Sequence, residues 1–337
     1  MLNIDEGRYL RIQSGAVAQA EKIDAAIGQL LGAGAENVFF LGTGGAAILM
    51  QPAVQLLRRD SSFPVVDTMS AELVFGGSRH LGRRSIAVIP SRSGTTRESI
   101  EVLKYCKSLG ASVIGLTAHA GTPLADGADH AVVNFAEDDT SSESFYLQSL
   151  LIALSIMRHR GECDDYGDVL RELAALPALL IEAKKAFEPR AERLAETIKI
   201  GDYHIISGAG STWPEALYYG MCILEEMQWI RTRPVHASDF FHGTLELVES
   251  GVSLILFKGE DACRPLVQRV EDFAPSYTDR LTVLDTAGIA LPGISERVRA
   301  LISPILLAAV LERVNAHLEV KRNHPLTTRR YYNKVAY

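Results

Sequence analysis

Two glycine-rich turns of the same kind, VFFLGTGG at residues 38–45 and HIISGAGS at 204–211, lie 166 residues apart. Each follows a short apolar run and precedes a helix-like stretch, and the likeness extends beyond the turns. Residues 86–89 recur as 252–255 at the same offset, and residues 71–76 recur as 238–243 one position further on. Such a chain is expected to fold as two copies of one α/β unit, with function marked by whatever one copy has and the other lacks.

The apolar runs at 38–41, 64–67, 85–89, 112–116 and 130–135 alternate with helical patterns, as do those at 203–207, 235–238, 253–257 and 281–285. Alternation of this kind predicts parallel sheets covered by helices on both faces. The fold class is therefore α/β, with two tandem, doubly wound, flavodoxin-like domains. The first is expected over residues 1–161 and the second over 201–337, joined by a helical bridge at 162–200. A helix is expected over 5–31, another over 146–160, a third over 214–229 and a long one over 294–321.

At 337 residues the chain is long for one core and natural for two. A net charge of −7 leaves no basic tract to follow nucleic-acid phosphates, apart from the short tail at 329–334. The beginning of the chain lacks a charged-then-apolar targeting pattern, and apolar runs such as 301–310 are too short to span a bilayer. Cys106, Cys163, Cys222 and Cys263 form no C-x-x-C pair, and no H-E-x-x-H occurs. The expectation is a cytoplasmic protein with reduced thiols, no metal and no cofactor.

Four hydroxyls crowd the first copy at Ser91, Arg92, Ser93, Gly94, Thr95 and Thr96, between a strand and a helix. Free backbone N–H groups and the positive end of the helix make that place suited to a phosphate, although Ser and Thr also serve as ordinary caps there. Gly42, Thr43 and Gly44 form the other close-approach turn of this copy, which a packing requirement alone would also explain. It is not G-x-G-x-x-G, and Asp67 is the sole argument for a dinucleotide. Ser141 and Ser142 open a further helix that could face the same anion.

The second copy holds the groups that move protons. Counted at helical spacing, Glu226 shares an apolar stripe with Ala216, Tyr219, Cys222 and Ile223, where burial would raise its pKa toward that of a general base. Glu225 points to solvent. His242 follows a strand end, between Phe241 and Gly243, with His236 as its rival. A Glu late in a helix is more often a surface residue, and a lone His more often a structural one.

Taken together these residues resemble the sugar isomerase (SIS) family, whose members carry two tandem copies of this unit and bind phosphorylated sugars. In the isomerase half of glucosamine-6-phosphate synthase the phosphate loop reads S-x-S-G-x-T, matched here by Ser91, Ser93, Gly94 and Thr96. Its catalytic Glu precedes an essential His-Gly by sixteen residues, as Glu226 precedes His242 and Gly243. Gly44 stands where that synthase has Ser, and the glutaminase half is absent. The stretch His236, Ala237, Ser238, Asp239, Phe240, Phe241, His242, Gly243 and the Asn-His-Pro-Leu tail beginning at Asn323 are similar to those of fructosamine-6-phosphate deglycases.

The resemblance implies a small phosphorylated amino sugar as partner, with Glu226 and His242 catalytic and Gly42, Thr43, Gly44, Ser91, Arg92, Ser93, Thr96, Ser141 and Ser142 around the substrate. Lys334 matches a sugar-reaching lysine in rough position, though after a longer spacing. It also implies a homo-oligomer, a dimer or larger, whose sites are shared between subunits. The implied reaction is deglycation to glucose 6-phosphate and an amino acid, the amine pocket being lined by the tail or the bridge. An aldose–ketose or deaminating isomerase and a sugar-phosphate sensor are the alternatives.

Overall fold

The computed structural model describes residues 1–332, 334 and 335. The chain divides into two compact units, one of Glu6–Pro177 and one of Ala178–Tyr337 together with Met1–Asp5.

In the first unit, strands β1 (Asn37–Gly42), β2 (Val65–Met69), β3 (Ser85–Pro90), β4 (Ser112–Thr117) and β5 (His130–Val133) form one parallel sheet ordered β2-β1-β3-β4-β5. This is the flavodoxin-like order. Phe39, Leu41, Ala87, Ile89 and Val113 pack against Leu73, Val102, Leu103 and Leu124 on one face. The alternate residues Val38, Phe40, Ile86 and Val88 are buried as well. Both faces are covered, which is why these strands read as unbroken apolar runs.

The helix expected over 5–31 is two helices, Glu6–Ala18 and Ala20–Gly32. They part at Gln19, whose N–H reaches the carbonyl of Ala16 in a tighter three-residue turn. Helix Ser141–His159 packs against both and is buried on nearly every side, with sixteen of its residues in the core.

The second unit repeats the plan with β6 (Tyr203–Gly208), β7 (Arg231–His236), β8 (Ser253–Lys258) and β9 (Leu281–Asp285), ordered β7-β6-β8-β9 and again parallel. Two details differ from the sequence expectation. Val38 pairs with Ile86, whereas His204, its counterpart, pairs with Ser253, so the third strand repeats at an offset of 167 and not 166. β7 begins at Arg231, four residues before the apolar signal. It is an edge strand, where exposed arginines and Pro234 cost no ladder hydrogen bond.

Helix Glu296–Arg322 is long and apolar enough by length and composition to cross a membrane, longer than the run first read. Here it is a core helix, with residues such as Ile302, Leu306, Leu307 and Val310 buried. At its far side lies a buried charge cluster. Arg313 and Lys184 are fully buried. Glu188 accepts from the Nε of Arg313 at 2.8 Å and from the N–H of Leu2 at 2.7 Å, with His317 Nε2 3.1 Å away. Lys184 donates to Glu312 at 2.9 Å.

Burial pushes the Glu188 carboxyl up, but the hydrogen bonds from Arg313 and Leu2 and the guanidinium charge outweigh it and hold the pKa at about 2, below the ordinary 4.5. A depressed carboxyl stabilises the fold above the unfolded value, and that contribution disappears as pH falls through 4.5 toward about 2. Glu188→Gln is therefore expected to cost roughly 3 kcal/mol near neutral pH. The difference from the parent protein should shrink steadily in urea titrations run at decreasing pH below 4.5.

Candidate active site

Strand order reverses between β1 and β3, so the turns that leave these strands flank the crevice where ligands of this fold class bind. The first turn uses Gly42 and Gly44 for different reasons. A Cβ on Gly42 would stand 3.0 Å from Ala47, while Gly44 has φ +57°, a backbone that favours glycine. Thr43 is exposed and makes no side-chain cap bond.

The second turn, from Ser91 to Thr96, is organised by its own hydroxyls. Ser91 Oγ lies 2.9 Å from Thr96 Oγ1 and accepts the N–H of Gly94 at 3.1 Å. Ser93 Oγ accepts from the N–H and the hydroxyl of Thr95 at 3.2 and 3.0 Å. Gly94 has φ +67°, and a Cβ there would fall 2.1 Å from Thr122 Oγ1. Thr96 is the N-cap of helix Arg97–Ser108 but gives it no side-chain cap bond. The hydroxyls thus shape a loop at an uncapped helix end, and simple capping does not account for them.

Other residues expected here have different attachments. Arg92 pairs with Asp138 at 3.0 Å. Ser141 is buried and Ser142 half-buried. Beside them Glu143 accepts the Tyr9 hydroxyl at 3.0 Å, and Ser144 accepts from Asn134 at 2.9 Å, so much of that cluster is occupied in holding the fold. Asp67 pairs with Arg58.

The matching place in the second copy is filled by the chain itself. Asp261 accepts from the N–H and hydroxyl of Ser211 at 2.7 and 2.6 Å and from the N–H of Cys263 at 2.8 Å. Its carboxylate lies where a Cβ on Gly210, at φ +55°, would come within 2.5 Å. A built-in anion therefore sits against the second Gly turn.

Glu226 is placed by a departure from helical geometry. The helix begins at Trp213, but Tyr219–Glu225 is π-helical, and the N–H of Glu226 bonds back five residues to Met221 at 3.1 Å. Counting at 3.6 residues per turn fails across such a bulge. The dry apolar stripe is therefore not what surrounds Glu226. Its side chain is 35% exposed and accepts from the Nε of Arg329 at 3.0 Å. Arg329 was not singled out in the sequence, and no short motif would have found a partner 103 residues away.

A cavity of about 900 Å³ opens beside Glu226. It is lined by Lys199, Asp202, Tyr203, Glu225 and Trp229, by Arg231 and Arg322, and by Arg329 to Tyr332 of the tail. Glu225 is exposed, as expected, and accepts from Thr232 at 2.6 Å. Lys334 donates to the carbonyl of Arg329 at 2.5 Å, bracing the residue that holds Glu226.

His242 is exposed, its ring without a partner among the described residues. Its counterpart in the first copy is Phe75, 91% exposed. His236 packs edge-on against Trp213 at 5.5 Å and accepts the N–H of Ser238 at 3.2 Å, a structural role. Glu226 precedes the start of β7 and its cavity includes Arg231 and Thr232, whereas His242 follows the strand's far end at His236. Six extended residues span roughly 17–20 Å. Glu226 thus precedes β7 and His242 follows it, at opposite ends of that strand.

Comparison with known proteins agrees with this architecture. A SIS domain model matches residues 33–158. The chain is 29% identical over 318 residues to the fructosamine deglycase of Bacillus subtilis, covering 94% of this chain and 97% of that one. It is 24% identical to the fructoselysine 6-phosphate deglycase of Escherichia coli, over 98% of both. A solved candidate phosphosugar isomerase from Bacillus subtilis superposes with a TM-score of 0.89 at 29% identity, covering 96% of this chain and 99% of that one. With two flavodoxin-like sheets and this set of relatives, the chain carries a SIS domain over residues 33–158 and is similar along nearly its whole length to these proteins.

Proposed function

We propose that the protein is an enzyme, a deglycase that cleaves a 1-amino-1-deoxyketose 6-phosphate into glucose 6-phosphate and a free amino acid. The observation that carries this reading is the end-to-end likeness to two deglycases, in a chain that presents Glu226 to a cavity of substrate size. Its place of action is the cytoplasm.

The 6-phosphate is held by Ser93, Thr95, the Thr43–Gly44 turn and the uncapped helix end at Thr96. Fixing that remote charge lets binding energy orient the reacting carbons. His242 carries the ring-oxygen proton as the cyclic sugar opens. Glu226, oriented by Arg329, takes a proton from C1 to give an enaminol, and a proton returned to C2 gives the aldimine. Water adds to C1, and the carbon–nitrogen bond breaks to release the amine. Because β7 separates the two residues, the His242 that meets Glu226 comes from another copy of the chain, and the working protein is at least a dimer.

Incubation with fructosyl-amino-acid 6-phosphates should release glucose 6-phosphate and free amino acid in equal amounts, read by a coupled dehydrogenase and amine detection. Release of ammonia from glucosamine 6-phosphate, with no amino acid from the former, would favour a deaminating isomerase.

Glu226→Gln should lower turnover by more than about 10²-fold while substrate still binds. His242→Ala should lose less on a substrate analogue supplied in open-chain form than on the cyclic one. Refolding or co-expressing these two inactive variants together should restore about a quarter of parental activity, since half of the dimers then carry one intact site. A mixture as inactive as its components would remove the shared site.

A further inference from the structure

The cavity beside Glu226 has a charge that the chain as a whole lacks. Its lining brings five cationic side chains, Lys199, Arg231, Arg322, Arg329 and Arg330, against three carboxylates, in a protein of net charge −7. Arg329 is engaged with Glu226, and Lys199 lies 3.6 Å from Glu196. Arg231, Arg322 and Arg330 have no carboxylate partner among the described residues.

Arg322 is half-buried at the end of its helix and donates only to neutral acceptors of Gln228, the side-chain oxygen at 3.2 Å and the backbone carbonyl. Burial pushes its pKa below the ordinary arginine value, the sign of a guanidinium short of negative company. Arg330 lies over the ring of Trp229 at 3.9 Å and is otherwise exposed. Beside that ring, His324 packs edge-on at 4.5 Å with its Nε2 buried and unpartnered. Charge and unmet hydrogen-bonding capacity are thus gathered in and beside the cavity that Glu226 lines.

We propose that this cavity receives the carboxylate of the substrate's amino-acid half, with Arg322 and Arg330 as its principal partners and Arg231 at the rim. The proposal rests on the deglycase reading and specifies the substrate class of the same site. In an Amadori adduct of an α-amino acid the carboxylate is three bonds from C1, the carbon that Glu226 serves. An oxyanion receptor adjoining Glu226 is therefore where the leaving half must lie, and arginine suits a carboxylate through paired N–H donors.

The test compares two adducts that differ only in this group, the fructosyl-glycine and fructosyl-methylamine 6-phosphates, each followed by glucose 6-phosphate release. The glycine adduct should show kcat/KM at least about 10-fold higher. Arg322→Gln and, separately, the surface change Arg330→Gln should lower kcat/KM for the glycine adduct through KM, and by at least about fivefold more than for the methylamine adduct. Equal kcat/KM for the two adducts, or equal losses on both, would overturn the assignment, the latter indicating that the arginines hold the shared phosphate end. Turnover of neither adduct would overturn the deglycase reading itself and the assignment with it. Arg330 is exposed and, among the described residues, lies over Trp229, so its variant keeps the test decisive if Arg322→Gln fails to fold.

Discussion

Where β1 meets β3 the strand order reverses, so the helices that follow leave on opposite faces and their first turns diverge. In folds of this class the crevice between them is where helix N-termini present free backbone N–H groups. The same reversal occurs between β6 and β8. Each copy therefore arrives with a place for an anion whether or not the protein needs two. In the first copy that place is bordered by small hydroxyl side chains that bond one another. In the second it is met by Asp261, whose oxygens take the N–H and hydroxyl of Ser211. One ancestral crevice stays open to a visitor, and the other is closed with a covalently attached carboxylate.

The second copy, freed from holding an anion at its carboxyl edge, carries its polar cavity at the opposite edge. Glu226 reaches that edge because a π-helical turn interrupts the helix that descends from Trp213, and because Arg329 from the tail meets it there. Bulges of this kind displace a side chain from the regular face and often mark functional positions. His242 remains at the carboxyl edge. The sixteen-residue spacing between them, compact along the chain, corresponds to a full strand's length in space.

Much of this was legible in the sequence. The central strands β1, β3, β4, β6 and β8 show themselves as apolar runs because they are buried on both faces. β7 was placed too late because an edge strand may be polar, and Arg231, Thr232 and Arg233 carry no apolar signal. The offset of the third strand was off by one because apolar residues substitute freely for each other within a buried strand. The hydroxyl loop was recognisable because four hydroxyls exceed the needs of one cap. The surroundings of Glu226 were not, since they depend on a π-turn and on a guanidinium remote in the chain. The tie between Tyr9 and Glu143 beside Ser141 and Ser142 left no trace in the sequence, since the two residues lie 134 positions apart.

The clamp on Leu2 bears on how the polypeptide acquires its shape during synthesis. Glu188 and Arg313 both bind the backbone of that residue, so its partners lie 186 and 311 residues further along the chain. Residues 6–177 form a unit of their own and are able to condense as they emerge. Until the helix bearing Arg313 arrives, Lys184 and Glu188 lack the countercharges that make their burial tolerable. Closure of the second unit thereby waits on a segment that precedes the whole of the first unit in the sequence.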